Sequence, residues 1–139
     1  MKILAIDVGD RRIGLAISDE LEIMAMPLDI IENDDNAGAK LLQIIKNNKI
    51  TKVVVGIPYT LKGEISSQAK KVISFIEDVL NGNVTQELGV EIIYLDERFT
   101  TKISHQLKDK KHGRKSNKID DVSACIILND YLNCSRKGK

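Results

Sequence analysis

The sequence has few of the residues that hold small extracellular domains together. Its 139 residues include only two cysteines, Cys125 and Cys134, and no Cys-x-x-Cys pair, so a zinc site built on cysteine is not expected. If one helix carries both cysteines, they lie about 13 Å apart along its axis. Because the Cα atoms of a disulfide are at most roughly 7 Å apart, we expect no disulfide.

Charge and hydropathy exclude further classes of protein. The 21 Lys and Arg residues nearly balance the 20 Asp and Glu residues, so a nucleic-acid partner would need a local basic patch. Three tyrosines, two phenylalanines and no tryptophan are too few for an extensive base-stacking platform. No apolar run reaches the roughly 18 residues of a membrane-spanning helix, and the N-terminus lacks a signal-peptide pattern. We therefore expect a cytoplasmic protein without a membrane partner.

The spacing of apolar residues predicts one α/β domain over residues 1–139. Short links between the first three strands imply antiparallel pairing, whereas later strand–helix–strand units imply parallel crossovers. The expected sheet is therefore mixed and five-stranded, with the last two strands parallel to the first and helices on its faces; Pro27 suits an edge strand. The predicted strands are 2–8, 13–17, 23–31, 53–57 and 90–95, and the predicted helices are about 37–49, 67–80, 102–110 and 119–132.

Acidic residues mark the ends of these predicted elements. Asp7 lies in an apolar strand, where an ionised carboxylate is costly unless it is paired or binds a metal. Asp96 and Glu97 follow the fifth strand, and Asp120 begins the last helix, with Asp121 as a weaker alternative. Because ligands of open α/β sheets bind beyond the carboxyl ends of the strands, we expect these acids to share one crevice.

A cluster of such acids predicts a site for a divalent cation. Neighbouring carboxylates raise one another's pKa values, and a bound cation removes that conflict. Hard oxygen ligands suit Mg²⁺ or Mn²⁺, and two such ions can promote phosphodiester hydrolysis. The residues alone also allow structural roles: Asp7 as an acceptor in the following turn, Asp96 as a partner of Arg98, and Asp120 as a helix cap.

A basic segment follows the fifth strand. Between residues 98 and 118 the local charge is +7, because eight basic residues are opposed only by Asp109. Such a segment can neutralise phosphates, and binding through it should weaken with salt; a solvated loop is the alternative. The basic residues are Arg98, Lys102, Lys108, Lys110, Lys111, Arg114, Lys115 and Lys118.

Several motifs resemble, in their order along nearly the whole chain, those of the YqgF family. The Asp-Glu-Arg triplet at 96–98 is the most specific of them, whereas the stretch YTLK at 59–62 departs from the family pattern. The matching motifs are IDVG at 6–9, RIGLA at 12–16, VGIP at 55–58 with a glycine at 63, DERFTT at 96–101, KID at 118–120, SA at 123–124 and IL at 127–128.

The resemblance implies a ribonuclease H-like fold and a metal-dependent endonuclease related to Holliday junction resolvases. It further implies maturation of the 5′ end of 16S ribosomal RNA, with Mg²⁺ or Mn²⁺ as cofactor. Cleavage of branched DNA and non-catalytic RNA binding stay open as alternatives, as does the choice between monomer and dimer. An ATPase of the actin or sugar-kinase type would need a second domain. The implied catalytic residues are Asp7, Asp96, Glu97 and Asp120, with Asp7, Glu97 and Asp120 as metal ligands and Arg98, Lys110, Lys111, Arg114 and Lys115 binding nucleic acid.

Overall fold

A five-stranded mixed sheet carries the helices on its two faces. The computed structural model describes residues 2–57, 66–96 and 117–137, and for residues 96, 117–122 and 135–137 it describes the backbone alone. The strands are β1 (Lys2–Val8), β2 (Arg12–Ser18), β3 (Ala25–Glu32), β4 (Ile50–Ile57) and β5 (Glu91–Asp96). The helices in these ranges are α1 (Ala37–Asn47), α2 (Ser67–Val79), α3 (Gly82–Leu88) and α4 (Asn117–Lys137).

The strand order confirms the predicted topology. The order is β3-β2-β1-β4-β5, with β1–β2 and β2–β3 antiparallel and β1–β4 and β4–β5 parallel. Pro27 lies on the edge strand β3, where a missing backbone N–H is tolerated. Because β1, β4 and β5 run the same way, Val8, Ile57 and Asp96 end at one side of the sheet, which we call its carboxyl end. The opposite side, where Lys2 begins β1, is its amino end.

Alternating residues of each strand pack on opposite faces. On one face Leu4 and Ile6 of β1 join a buried cluster with residues of α1 and α2, including Leu41 and Ile76. The other face, called the α4 face, is covered by the last helix. Burial of each such Leu or Ile contributes about 1.5–3 kcal/mol. The buried members on the α4 face are Ile3, Ala5, Ala16, Val54, Ala124, Ile127, Leu128 and Leu132.

The helix starts show which residues cap them. The sequence offers Ser66 or Ser67 as the cap of the second helix, and it is Ser66 Oγ that accepts a 3.1 Å hydrogen bond from Ala69 N and caps α2. Asn36 occupies the N-cap position of α1, but its side chain makes no capping hydrogen bond. Instead the Asp34 carboxylate accepts from Asn36 N at 2.9 Å, so an aspartate two residues earlier organises the turn into α1.

One helix was missed. The Asn-Gly-Asn stretch at 81–83 was expected only to end α2, whereas α3 begins there. Asn81 Oδ1 accepts from Val84 N at 3.1 Å, and the helix ends at Gly89 with a positive φ of 68°. The prediction was wrong because residues that stop one helix can also cap the next. The short α3 has only two apolar residues packed against the core, Val84 and Leu88, and neither is fully buried.

The last helix is longer than its apolar spacing predicts. α4 covers Asn117–Lys137, and the range expected was 119–132. Cys125 and Cys134 both lie on it and form no disulfide, as expected. The helices described here include none that is long and apolar enough to cross a membrane. The predicted helix at 102–110 lies outside the described residues.

Candidate active site

Asp7 lies at the carboxyl end of the central strand. It follows the buried residues Ala5 and Ile6 and is itself half-buried. Because side chains alternate along a strand, Asp7 shares the α4 face with Ile3 and Ala5. The Asp7 carboxylate therefore follows the buried residues Ile3 and Ala5 on the same face, at the carboxyl end of the sheet, as the sequence predicts.

Glycines flank Asp7 on both neighbouring strands. Gly14 of β2 pairs directly with Asp7, and the pairing of Ile6 with Val55 brings Gly56 of β4 to the level of Asp7. Paired residues of adjacent strands point to the same face, so a side chain at either glycine would project beside the carboxylate. The strand surface on both sides of Asp7 thus consists of backbone, so no side chain at these two positions crowds the carboxylate.

The end of β5 reaches the same side of the sheet. Asp96 pairs with Ile57, the last residue of β4, so its backbone lies at the carboxyl end as predicted. Ile93 and Leu95 pack on the α4 face, whereas Ile92 packs on the opposite face. Glu97 lies outside the described residues, and of Asp96 only the backbone is described.

A contact in the second half of α4 joins this helix to the amino end of the sheet. Lys52 Nζ donates a 2.9 Å hydrogen bond to Tyr131 Oη, and Lys52 pairs with Ile3 near the amino end of the sheet. Asp120 precedes Tyr131 by eleven residues, which corresponds to about 16 Å along the helix axis. The distance along β1 from Ile3 to Asp7 is shorter, about 13 Å. The part of α4 that precedes Tyr131 is therefore long enough for Asp120 to reach the carboxyl end of the sheet.

The turn between β1 and β2 is held by hydrogen bonds. Gly9 N donates to Arg12 O at 2.9 Å, and a Cβ at Gly9 would lie 2.7 Å from that oxygen. Asn33 Nδ2 donates to Gly9 O at 2.7 Å, while Asn33 N donates to Arg11 O at 2.8 Å. Asn33 was missed in the sequence; the available signal was an asparagine directly after β3, the strand that pairs with β2.

The start of α2 also approaches this turn. Gln68 Nε2 lies 3.4 Å from Asp10 Oδ1, a long hydrogen bond between exposed side chains. The N-terminus of α2, capped by Ser66, is consequently close to the turn that follows Asp7. The carboxyl end of the sheet therefore gathers the end of β1, the turn after it and the start of α2.

The remaining predicted site residues stay predictions. Within residues 2–57, 66–96 and 117–137 no three His, Cys, Asp or Glu side chains form a group that could hold a metal ion. The predicted metal set draws on Glu97 and on the Asp120 carboxylate, neither of which is described. The predicted nucleic-acid-binding residues also lie outside the described part of the chain: Arg98, Lys110, Lys111, Arg114 and Lys115.

Comparison with known proteins finds a family and close relatives. The family model described as "RuvX: Holliday junction resolvase" matches residues 1–134. A protein of Sulfurihydrogenibium sp. named "Putative pre-16S rRNA nuclease" is 44% identical over 133 residues, which cover 94% of this chain and 89% of the relative. A Desulforudis audaxviator protein of the same name is 36% identical over 144 residues, covering 100% of this chain and 99% of its own length.

Solved structures share the fold at low sequence identity. Thermus thermophilus RuvC in complex with a Holliday junction substrate has a TM-score of 0.58 and 13% identity, with 96% of each chain covered. The fowlpox virus Holliday junction resolvase has a TM-score of 0.57 and 16% identity, covering 96% of this chain and 99% of that one. These similarities confirm the ribonuclease H-like fold expected from the sequence.

Proposed function

Because the chain belongs to the RuvX family of Holliday junction resolvases, the YqgF family that its motifs resemble, we propose that it is a metal-dependent endonuclease acting on structured nucleic acid. Its substrate is the precursor of 16S ribosomal RNA, cleaved at the 5′ end during ribosome biogenesis. The name of the 44% identical relative supports this choice of substrate. Residues 1–139 act as one nuclease domain, and a ribosomal precursor as substrate implies the cytoplasm.

One observation supports the proposal: two parallel strands carry predicted acidic positions at the carboxyl end of the sheet. Asp7 is the penultimate residue of β1, and Asp96 is the last residue of β5. The part of α4 that precedes Tyr131 is long enough for Asp120 to reach the same end. These positions are far apart in the sequence. A cluster built from two strand ends and a helix start supports a shared chemical role better than three separate structural roles.

The alternation of β5 favours Glu97 over Asp96 as a ligand beside Asp7. Ile93 and Leu95 share the α4 face with Asp7, and Ile92 belongs to the opposite face. Since side chains alternate with a period of two, position 97 follows Leu95 on the α4 face if the strand continues by one residue. We therefore propose Asp7, Glu97 and Asp120 as the metal ligands, with Asp96 as a neighbour.

This donor set fits a hard divalent cation. All three ligands are carboxylates, which suit Mg²⁺ or Mn²⁺ and not the softer metals that prefer sulfur. The glycines beside Asp7, Gly14 and Gly56, leave backbone surface where a bulkier side chain would crowd the carboxylate. When bound, the cation supplies the positive charge that phosphodiester hydrolysis requires at the scissile group.

The chain's own residues bind and position the substrate. Asp7 is fixed by the central strand, so its oxygens stay in place as the nucleic acid enters. The basic segment neutralises backbone phosphates near the acids, and the binding constant falls as salt rises. The proposed phosphate-binding residues are Arg98, Lys110, Lys111, Arg114 and Lys115.

The test compares cleavage by the purified protein and two matched variants. A precursor RNA spanning the 5′ end of 16S rRNA and a four-way DNA junction are each incubated with Mg²⁺ or Mn²⁺. We expect Asp7→Asn to lower the cleavage rate by more than about a hundredfold, because even partners outside the ligand sphere cost roughly 10–100-fold. Asp10→Asn, which removes an exposed carboxylate from the adjacent turn, should cleave at the rate of the unmodified protein.

The outcome of this cleavage assay distinguishes the proposed function from its alternatives. Cleavage of the RNA alone supports the proposal, and cleavage of the junction alone supports the alternative that the family description favours, a Holliday junction resolvase acting on branched DNA. Tight RNA binding without cleavage of either substrate supports a non-catalytic maturation factor. Cleavage that survives Asp7→Asn would show that Asp7 is not part of the active site.

A further inference from the structure

Arg12 lies on the same face of the sheet as Asp7. Asp7 pairs with Gly14, and Arg12 precedes Gly14 by two residues in β2, so the alternation of the strand gives it the α4 face. Diagonal neighbours in an antiparallel pair are within reach of a long side chain. Gly14 adds no side chain between the two, so the guanidinium can extend over the surface beside Asp7.

The guanidinium of Arg12 is exposed and available for a ligand. In the described part of the chain it makes no hydrogen bond or ion pair, although acidic residues surround it. Glu32 pairs with it in the neighbouring strand on the same face, and the Asp10 carboxylate accepts from Gln68. These acids would repel a nucleic-acid strand near Asp7, and the positive charge of Arg12 offsets that repulsion.

The backbone of Arg12 is fixed although its side chain is exposed. Its carbonyl accepts from Gly9 N at 2.9 Å, and Asn33 holds the turn on both sides through Gly9 O and Arg11 O. A side chain that starts from a fixed backbone loses less conformational freedom on binding than one on a loose loop. The turn therefore presents Arg12 in a reproducible position relative to Asp7.

We propose that Arg12 binds a backbone phosphate of the nucleic acid next to the bond that is cleaved at Asp7. A guanidinium can donate two parallel hydrogen bonds to one phosphate, which fixes its orientation as well as neutralising its charge. The inference rests on the proposed function for the identity of the cleaved bond, but phosphate binding by Arg12 can be measured without cleavage. Arg12 is thus a substrate-binding residue separate from the basic segment at 98–118.

Equilibrium binding with salt variation tests this contact. Fluorescently labelled precursor RNA and a labelled four-way junction are titrated with protein in EDTA, so that no cleavage occurs, at several salt concentrations. Loss of one phosphate contact lowers the slope of log K against log[salt] by about 0.7–0.9. We expect this decrease for Arg12→Gln, together with a several-fold weaker affinity. Arg12→Lys should restore the slope and only part of the affinity, because lysine cannot make the paired hydrogen bonds.

Lys46→Gln is the matched control, since it removes one exposed positive charge near the amino end of the sheet, beside Ile50 and Thr51. Its slope should equal that of the unmodified protein. A slope for Arg12→Gln equal to that of Lys46→Gln would overturn the proposal, as would failure of the unmodified protein to bind either probe. Binding of these probes in EDTA, combined with no cleavage of either substrate in the separate assay with Mg²⁺ or Mn²⁺, would refute the nuclease function and leave the measurement on Arg12 valid.

Discussion

Lys52 Nζ donates a 2.9 Å hydrogen bond to Tyr131 Oη and so joins the amino end of β4 to the second half of α4. This hydrogen bond raises the pKa of Lys52, with the Tyr131 charge adding to the effect and partial burial opposing it. The contact lies at the opposite end of the sheet from Asp7. It nevertheless bears on the candidate site, because it orients the helix that carries Asp120.

Tyr131→Phe tests how much this contact stabilises the fold. We expect the free energy of unfolding to fall by about 1 kcal/mol, the usual net value of one hydrogen bond, in urea denaturation at pH 7. Because the folded-state pKa of Lys52 is raised, the contribution of Lys52 to the free energy of unfolding is fully present below its ordinary pKa of 10.5. This contribution is lost as the pH rises through the folded-state pKa. The control is Tyr94→Phe, which removes a hydroxyl without a hydrogen-bond partner among the described residues. Equal effects of the two variants would contradict the expectation.

Variants of two asparagines distinguish an effect on the position of the candidate site from an effect on protein stability. Asn33 Nδ2 donates to Gly9 O at 2.7 Å, and Asn48 Nδ2 donates to Ile44 O at 2.9 Å at the end of α1. Replacing either residue with alanine removes a half-buried side chain-to-backbone bond, so both should lower the free energy of unfolding by about 1 kcal/mol. Only Asn33→Ala should also lower the cleavage rate and weaken nucleic-acid binding, measured by anisotropy. If Asn48→Ala impairs cleavage equally, the effect is one of stability.

Gly9 is expected to tolerate no side chain. A Cβ there would lie 2.7 Å from Arg12 O, and that backbone cannot move without disturbing the turn after Asp7. We expect Gly9→Ala to destabilise the protein by about 1–3 kcal/mol and to reduce cleavage. Gly82→Ala is the comparison, because no atom lies within 4 Å of a Cβ at that helical position. That variant should be neutral or up to about 1 kcal/mol more stable; thermal denaturation distinguishes the two.

Asp130 should make stability depend on pH. Partial burial raises the pKa of its carboxyl above the ordinary 3.8, so the folded state binds the proton more tightly than the unfolded state. The contribution of Asp130 to the free energy of unfolding is therefore greatest below pH 3.8. It falls as the pH rises through the pKa of Asp130 in the folded state. Asp130→Asn should raise the free energy of unfolding at pH 7 by up to about 0.5 kcal/mol and change little at pH 3. A larger gain at pH 3 than at pH 7 would be inconsistent with burial as the cause.

Local patterns were sufficient to predict most of the fold. The meander of β1, β2 and β3 follows from apolar runs separated by turn residues, and Pro27 marked the edge strand. The Ser66 cap and the apolar spacing that follows it marked α2. Helix α3 escaped prediction because its seven residues include only two that pack against the core, Val84 and Leu88, and one such pair is too short a periodic signal.

The sequence indicates which acids form the candidate site, and that assignment stays a prediction, but it does not indicate the surroundings of Asp7. A carboxylate at the end of an apolar strand is visible in the sequence, and so are the acids after β5 and at the start of α4. Which residues flank Asp7 depends on strand register, which brings Gly14 of β2 and Gly56 of β4 beside it. The direction of α4 depends on contacts such as that between Lys52 and Tyr131, which join residues 79 positions apart.

The position of β1 between β2 and β4 also determines when this site can assemble during synthesis. β2 and β3 follow β1 immediately along the chain, so the meander can form early on the emerging polypeptide. The other side of β1 has to await β4, and pairing between such distant segments is slow because a long loop must close first. Asp7 is translated well before α4. An active site that combines Asp7 with the proposed ligand Asp120 can therefore assemble only after α4 has been synthesised.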